Sequence, residues 1–166
     1  MPTLIKLTDG AYAEAEDIFV DVADEDVIPA EGVVILSLTR LQAEGDALLS
    51  AGRVVGVRIQ PDEEVEALAY DLPRLALVAP VFPKYRDGRA YTSARLLRQR
   101  LGFKGEVRAV GDVLREQAAH MVRCGFDSFA PADGSTPAEW AHAAGRYRHV
   151  YQRAADARAP VFEERA

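Results

Sequence analysis

From Gly32 onward, short β-branched runs alternate with stretches whose apolar residues recur at helical spacing. Val33-Val34-Ile35-Leu36-Ser37-Leu38 reads as a buried strand, because a short, continuous branched run suits the interior of a parallel sheet. Thr39 offers an N-cap, and Leu41, Leu48 and Leu49 share a helical face until Gly52 ends it. Val54 to Ile59 predicts a second strand, stopped by Pro61. Asp62-Glu63-Glu64 then sets acids where the positive end of a helix dipole favours them, so a helix is expected to start there. Leu75 to Phe82 predicts the third strand. A helix from Ala90 to Leu101 follows, with Ala94, Leu97 and Leu101 inward and Gly102 as its stop.

Glu106 to Val110 predicts the fourth strand. Beyond Gly111-Asp112 comes a helix with Val113, Leu114, Ala118, Met121 and Val122 inward, capped by Gly125. Phe126 to Phe129 predicts a fifth, short strand. Ser135-Thr136-Pro137-Ala138-Glu139 carries cap residues, an early proline and an acid, which starts a last helix expected to reach Ala155. Strands alternating with helices imply right-handed crossovers. The predicted fold class is therefore α/β: a single domain of repeated βα units with a mostly parallel sheet, open or curved like a partial barrel. Residues 1–31 form an N-terminal extension that belongs to the domain as a strand pair or edge. Residues 32–156 form the α/β domain, and residues 157–166 form a loosely held C-terminal tail.

With 166 residues, 49% of them hydrophobic, the chain has the material for one real core. Its longest apolar runs fall far short of the ~20 residues that cross a bilayer. No basic stretch followed by an apolar one opens the chain, so no signal peptide is expected. A single cysteine, Cys124, closes no internal disulfide. These features together predict a cytoplasmic protein that does not meet the membrane.

Charge changes that picture, because it is segregated. Residues 1–31 hold 9 acids and 1 base, whereas residues 82–129 hold 10 bases and 5 acids within a chain of net charge −6. An acidic chain with one basic block is a poor nucleic-acid binder but suits a small anionic ligand or an acidic surface.

In parallel sheets, ligands meet the loops beyond the carboxyl ends of the strands. The richest such loop is Phe82 to Ser93, with Lys84, Arg86 and Arg89 for charge and Tyr91, Thr92 and Ser93 for hydroxyls. Asp87, beside Gly88, reads as a turn residue, a cap, or a partner for Arg89. Arg58 and Arg108 lie between apolar neighbours near strand ends, so each must be paired or face a cleft. Asp112 reads as a partner for Arg108 or, preferably, as an N-cap, and Arg40 reaches the same rim. The candidate anion-binding set is thus Arg58, Lys84, Arg89, Tyr91, Ser93 and Arg108. Asp87 and Asp112 are candidate proton-transfer groups.

Cys124 reads first as a small buried hydrophobe and second as a redox thiol helped by Arg123. His142 and His149 read as a helix face, and Trp140 as a packing anchor. The sequence carries no glycine-rich dinucleotide fingerprint, no iron–sulfur ligand set and no zinc-type spacing, so no metal site is assigned and the cofactor stays open.

Three blocks are specific enough to suggest a family: Asp87 to Arg98, Gly102 to Leu114, and Arg123-Cys124-Gly125-Phe126-Asp127-Ser128-Phe129. Over about residues 32–150 the chain resembles a bacterial domain-of-unknown-function family. Its members are usually encoded beside the assimilatory sulfite reductase haemoprotein and labelled as oxidoreductases of sulfite reduction. The matching motif positions are Asp87, Gly88, Arg89, Tyr91, Ser93, Arg95, Arg108, Gly111, Asp112, Arg123, Cys124 and Asp127. The resemblance implies a place in sulfate assimilation toward sulfide and cysteine, with sulfite reductase as the expected partner. An accessory or coupling protein that binds a sulfur oxyanion or the reductase is the first expectation. A stand-alone oxidoreductase or acid–base enzyme of the same pathway is the alternative.

Overall fold

The computed structural model describes residues 3–164. Residues 1–2 of the predicted extension and 165–166 of the predicted tail lie outside the described residues. One eight-stranded sheet organises the molecule, in the order β2-β1-β8-β7-β6-β5-β4-β3. The strands are β1 (Leu4–Thr8), β2 (Ala11–Ala15), β3 (Phe19–Asp21), β4 (Val33–Ser37), β5 (Val55–Ile59), β6 (Leu77–Phe82), β7 (Glu106–Gly111) and β8 (Ser128–Phe129). Strands β3 to β8 run parallel, while β1 is antiparallel to both β8 and β2. The expected mostly parallel sheet is therefore corrected to a mixed one. The cause is the N-terminal segment, which folds as a hairpin about Asp9-Gly10, both at positive φ as a two-residue turn requires.

That segment also curls the sheet. After β2 on one edge, only Glu16, Asp17 and Ile18 separate the chain from β3 on the opposite edge. Laid flat, the seven strand spacings between those edges would span about 34 Å, whereas the four Cα steps from Ala15 to Phe19 reach at most about 15 Å. The sheet closes toward the crossing segment into a half-barrel, which matches the curved alternative of the sequence reading.

Helices cover the convex face. The run Leu38–Arg40 (α1), Leu41–Gly45 (a π-helical turn) and Asp46–Ser50 (α2) follows β4, and its cap is Ser37, not Thr39: the Ser37 hydroxyl accepts from the Arg40 amide at 3.2 Å. Arg89–Arg95 (α3) continues as a π-helical stretch, Leu96–Arg100, after β6; Ala118–Cys124 (α4) follows β7 and Pro137–Ala144 (α5) follows β8. The helix expected from Asp62 is absent, replaced by two 3₁₀ turns, Val65–Leu68 and Leu72–Arg74, the second with Pro73 in its first turn. The repeat of βα units is accordingly incomplete. The last helix has the expected cap, since Thr136 and Glu139 form a capping box with Pro137 at the first turn. It ends at Ala144 instead of Ala155, and Gly145 follows as its C-cap. His149 therefore lies outside any helix face and bonds Glu164 at 2.8 Å.

The main core lies between the convex face and the helices, around Val34, Leu36, Val57, Val78, Phe82 and Phe129. Trp140 anchors α5 there, fully buried, stacking on Phe129 and donating its indole N–H to the Ser135 hydroxyl at 2.8 Å. A smaller cluster, Ile35, Leu77 and Ala79 with Phe19 and Val110, fills the concave face. Within β6, Pro80 has no N–H to give: the ladder to β7 skips Ala79 and Pro80, while the β5 side keeps the Ile59–Pro80 pair.

Candidate functional site

The loop from Pro83 to Gly88 leaves β6 at the carboxyl rim of the sheet, where the sequence placed the site. Two carboxylates hold it. Asp112 accepts the Tyr85 amide at 2.8 Å, and its own amide donates to the Phe82 carbonyl at 2.7 Å. Asp112 is therefore neither the N-cap of the following helix, which begins later with a 3₁₀ turn at Arg115, nor the partner of Arg108. Gly111 is required just before it, because a Cβ there would collide with the Phe82 carbonyl and its φ is +97°. Asp87 grips Arg89 in a fork, Nε to Oδ1 at 3.0 Å and Nη2 to Oδ2 at 2.7 Å, and also accepts the Arg89 amide at 3.2 Å. Those bonds, the side-chain one foremost, pull the Asp87 carboxyl down to about 2.

Lys84 and Arg86 are exposed on this loop, and neither makes an ion pair among the described residues. Arg89 keeps 60% of its side-chain surface in water. The loop thus presents two free cations and one half-committed guanidinium on a firmly held backbone. Tyr91 turns away from them: it packs edge-on to Phe82 and His120 at 5.0 and 4.5 Å, beside Gln117, and burial raises its hydroxyl pKa. Ser93 is half-buried further along α3.

Arg58 and Arg108 are not part of the rim loop. Strand register puts Ser37, Arg58, Ala79, Arg108, Ser128 and Lys6 in one row across the concave face. Arg108 is 3% exposed; its Nη1 bonds both Asp17 oxygens at 2.8 and 2.9 Å and its Nε bonds Glu106 at 2.8 Å. Arg58 pairs with Asp21. Burial alone would raise the Glu106 carboxyl, but Lys6, Ser128 and Arg108 together bring it below its ordinary value. Arg40 serves the same segment, donating to the carbonyls of Ala23 and Asp26. The six anion-site residues therefore divide among the rim loop, its following helix and the concave face.

Cys124 is the last residue of α4. Its sulfur is 3.7 Å from His120 Nε2, and burial raises its pKa although Arg95 and Arg123 oppose the rise. That environment disfavours a thiolate at neutral pH. Arg123, expected as the thiol's helper, is instead engaged by Asp156 and the Gln152 carbonyl, tying the C-terminal segment to α4. Asp127 bonds Arg98 at 2.6 Å and the Val107 amide at 2.9 Å, so this motif position is a structural pin. Among the described residues, no group of three or more His, Cys, Asp or Glu side chains is arranged to hold a metal ion.

Sequence reasoning missed Asp17, Asp21 and Glu106 as the partners of the strand arginines. A signal existed: the acidic first 31 residues face a chain whose basic block needs counter-charges, and no local acid lies at strand spacing from Arg58.

A comparison with protein families matches residues 56–162 to one described as bacterial protein of unknown function (DUF934). No curated protein matches the chain.

Proposed function

This chain belongs to the bacterial DUF934 family, and we propose that it serves assimilatory sulfite reduction as an accessory or coupling protein. The link to sulfite reduction rests on the resemblance carried by the three sequence blocks. The rim loop would receive a sulfur oxyanion or an acidic surface of the reductase. The observation that carries the anion-binding part is the exposure of Lys84, Arg86 and Arg89 on a loop held by Asp87 and Asp112. A fixed loop spends little entropy when it orders a ligand. Asp87, held near 2 by Arg89, is ionised at neutral pH and ill-suited to proton transfer there. This supports a binding role over an acid–base one.

The test is sulfide production by a sulfite reductase with and without this protein, using wild type, Arg89→Ala and the double variant Lys84→Ala/Arg86→Ala. Stimulation by wild type, lost in variants whose circular dichroism is unchanged, is the expected outcome. Equal stimulation by all forms, or none by wild type with a physiological electron donor present, overturns the reading. Sulfite turnover by this protein alone would move it to the stand-alone enzyme.

A further inference from the structure

The concave face carries three cations in one row, yet two of the three carboxylates facing them come from outside the sheet's interior strands. Arg108 and Arg58 sit on either side of Ala79, and their acids Asp17 and Asp21 arrive on the segment that crosses the half-barrel. That segment is laid down like a bound peptide. Phe19–Asp21 adds a parallel strand to β4, in register Phe19 to Val33 and Asp21 to Ile35, and the Val22 amide donates to the Ile35 carbonyl at 3.0 Å. Phe19 enters the socket of Ile35, Leu77, Ala79 and Val110 with the Arg108 guanidinium 5.3 Å over its ring. Ile18 and Val20, alternating with these, are 63% and 52% exposed.

The strand is three residues long and at the sheet edge, and a groove of about 760 Å³ runs along it, lined by Glu16, Asp17, Phe19 and Val20 together with the β2 end. The face beneath it is built on β5, β6 and β7, which sit inside the sheet and do not depend on it for pairing.

We propose that this face is a receptor for an extended acidic segment of a partner protein, of pattern acid-x-aromatic-x-acid, and that the chain's own Asp17-Ile18-Phe19-Val20-Asp21 is its resident, displaceable occupant. Strand addition to β4 supplies the backbone bonds, Arg108 and Arg58 read the two acids, and the socket reads the ring. An intramolecular occupant holds a millimolar-scale effective concentration, so only a partner segment with added contacts, or a weakened occupant, opens the face. The site lies on a different face from the rim loop, and the proposal does not depend on that loop's role.

The probe is a fluorescein-labelled peptide of residues 16–22, read by anisotropy. Full-length protein carrying Asp17→Ala, Phe19→Ala and Asp21→Ala is expected to bind it at least tenfold more tightly than wild type does, and adding Arg58→Ala is expected to weaken that binding at least tenfold. Should the folded triple variant bind no better than it binds a scrambled peptide, or should Arg58→Ala change nothing, the proposal falls. It also falls if sulfate at matched ionic strength competes as well as unlabelled peptide, which would make the site a charge patch. If the triple variant fails to fold, hydrogen exchange of wild type at 1 mM peptide decides: faster exchange of the Val22 amide supports displacement, and unchanged exchange refutes it.

Discussion

Replacing Arg108 with methionine keeps an unbranched chain near Phe19 and removes the charge together with the guanidinium's hydrogen bonds to Asp17 and Glu106. In the native protein that guanidinium is 3% exposed and answers two carboxylates, Asp17 and Glu106, at 2.8 Å. Breaking a buried pair by deleting one partner costs about 3–5 kcal/mol, because the other partner keeps its desolvation penalty. Here Asp17 is one-third exposed and can turn to water, and Glu106 retains Lys6 and Ser128. The lower end, about 3 kcal/mol, is the expected loss, or roughly 6–12 °C in Tm for a chain of this size.

The pH dependence follows from Glu106, whose carboxyl lies below its ordinary 4.5 in the fold. A depressed carboxyl stabilises the fold above its unfolded pKa and loses that contribution as pH falls through the folded one. Arg108→Met removes part of the depression, so the stability gap between wild type and variant should be widest near neutrality and shrink below about pH 4.5. Urea unfolding at neutral pH and at about pH 3.5, followed by circular dichroism, measures both. A loss under about 1 kcal/mol, or a gap that does not change with pH, would refute the view that the buried network is held by Arg108.

In carbon-detected NMR titration Asp87 should show its midpoint near 2, and Arg89→Ala should return it toward the ordinary 3.8; an unshifted midpoint in the variant would show that Arg89 is not the cause. Gly111→Ala should destabilise the fold by about 1–3 kcal/mol in thermal unfolding, since it adds backbone strain at φ +97° as well as a collision with Phe82. Cys124, 8% exposed with a raised pKa, should react with an aromatic disulfide reagent at pH 7 many-fold more slowly than in 6 M guanidinium chloride, and equal rates would contradict its burial.

The parallel strands were legible because Val34, Leu36, Val57 and Val78 sit in runs whose apolar faces are covered, and burial on both faces leaves a continuous signature. The Thr136 capping box was legible for an equally local reason: the cap and its acid are three residues apart. The hairpin at Asp9-Gly10 also carried a local sign, an Asp-Gly pair, but its flanks are only weakly alternating. What sequence could not show is long-range. Arg108 lies 91 residues from Asp17, and nothing local says that a carboxylate so far away will take it. The helix expected at Asp62 gave way to two 3₁₀ turns, the second holding Pro73, because acids in a first turn do not by themselves carry a helix. The rim loop divides along the same line: its basic composition was visible, whereas the grip of Asp112 on Tyr85 came from a turn 27 residues away.

The crossing of the half-barrel also fixes an order of events on the ribosome. The neighbour of β1 in the sheet is β8, so the hairpin made first must wait until Phe129 has been synthesised before it can join its site. Contacts of such sequence separation come late and slow folding, because loop closure costs entropy before any pairing repays it. During that wait Leu4 and Ile5, both buried in the finished protein, are exposed on a nascent hairpin, while β8 has not yet emerged. A chaperone that shields the first fifteen residues would act in the interval when this chain is most prone to aggregate.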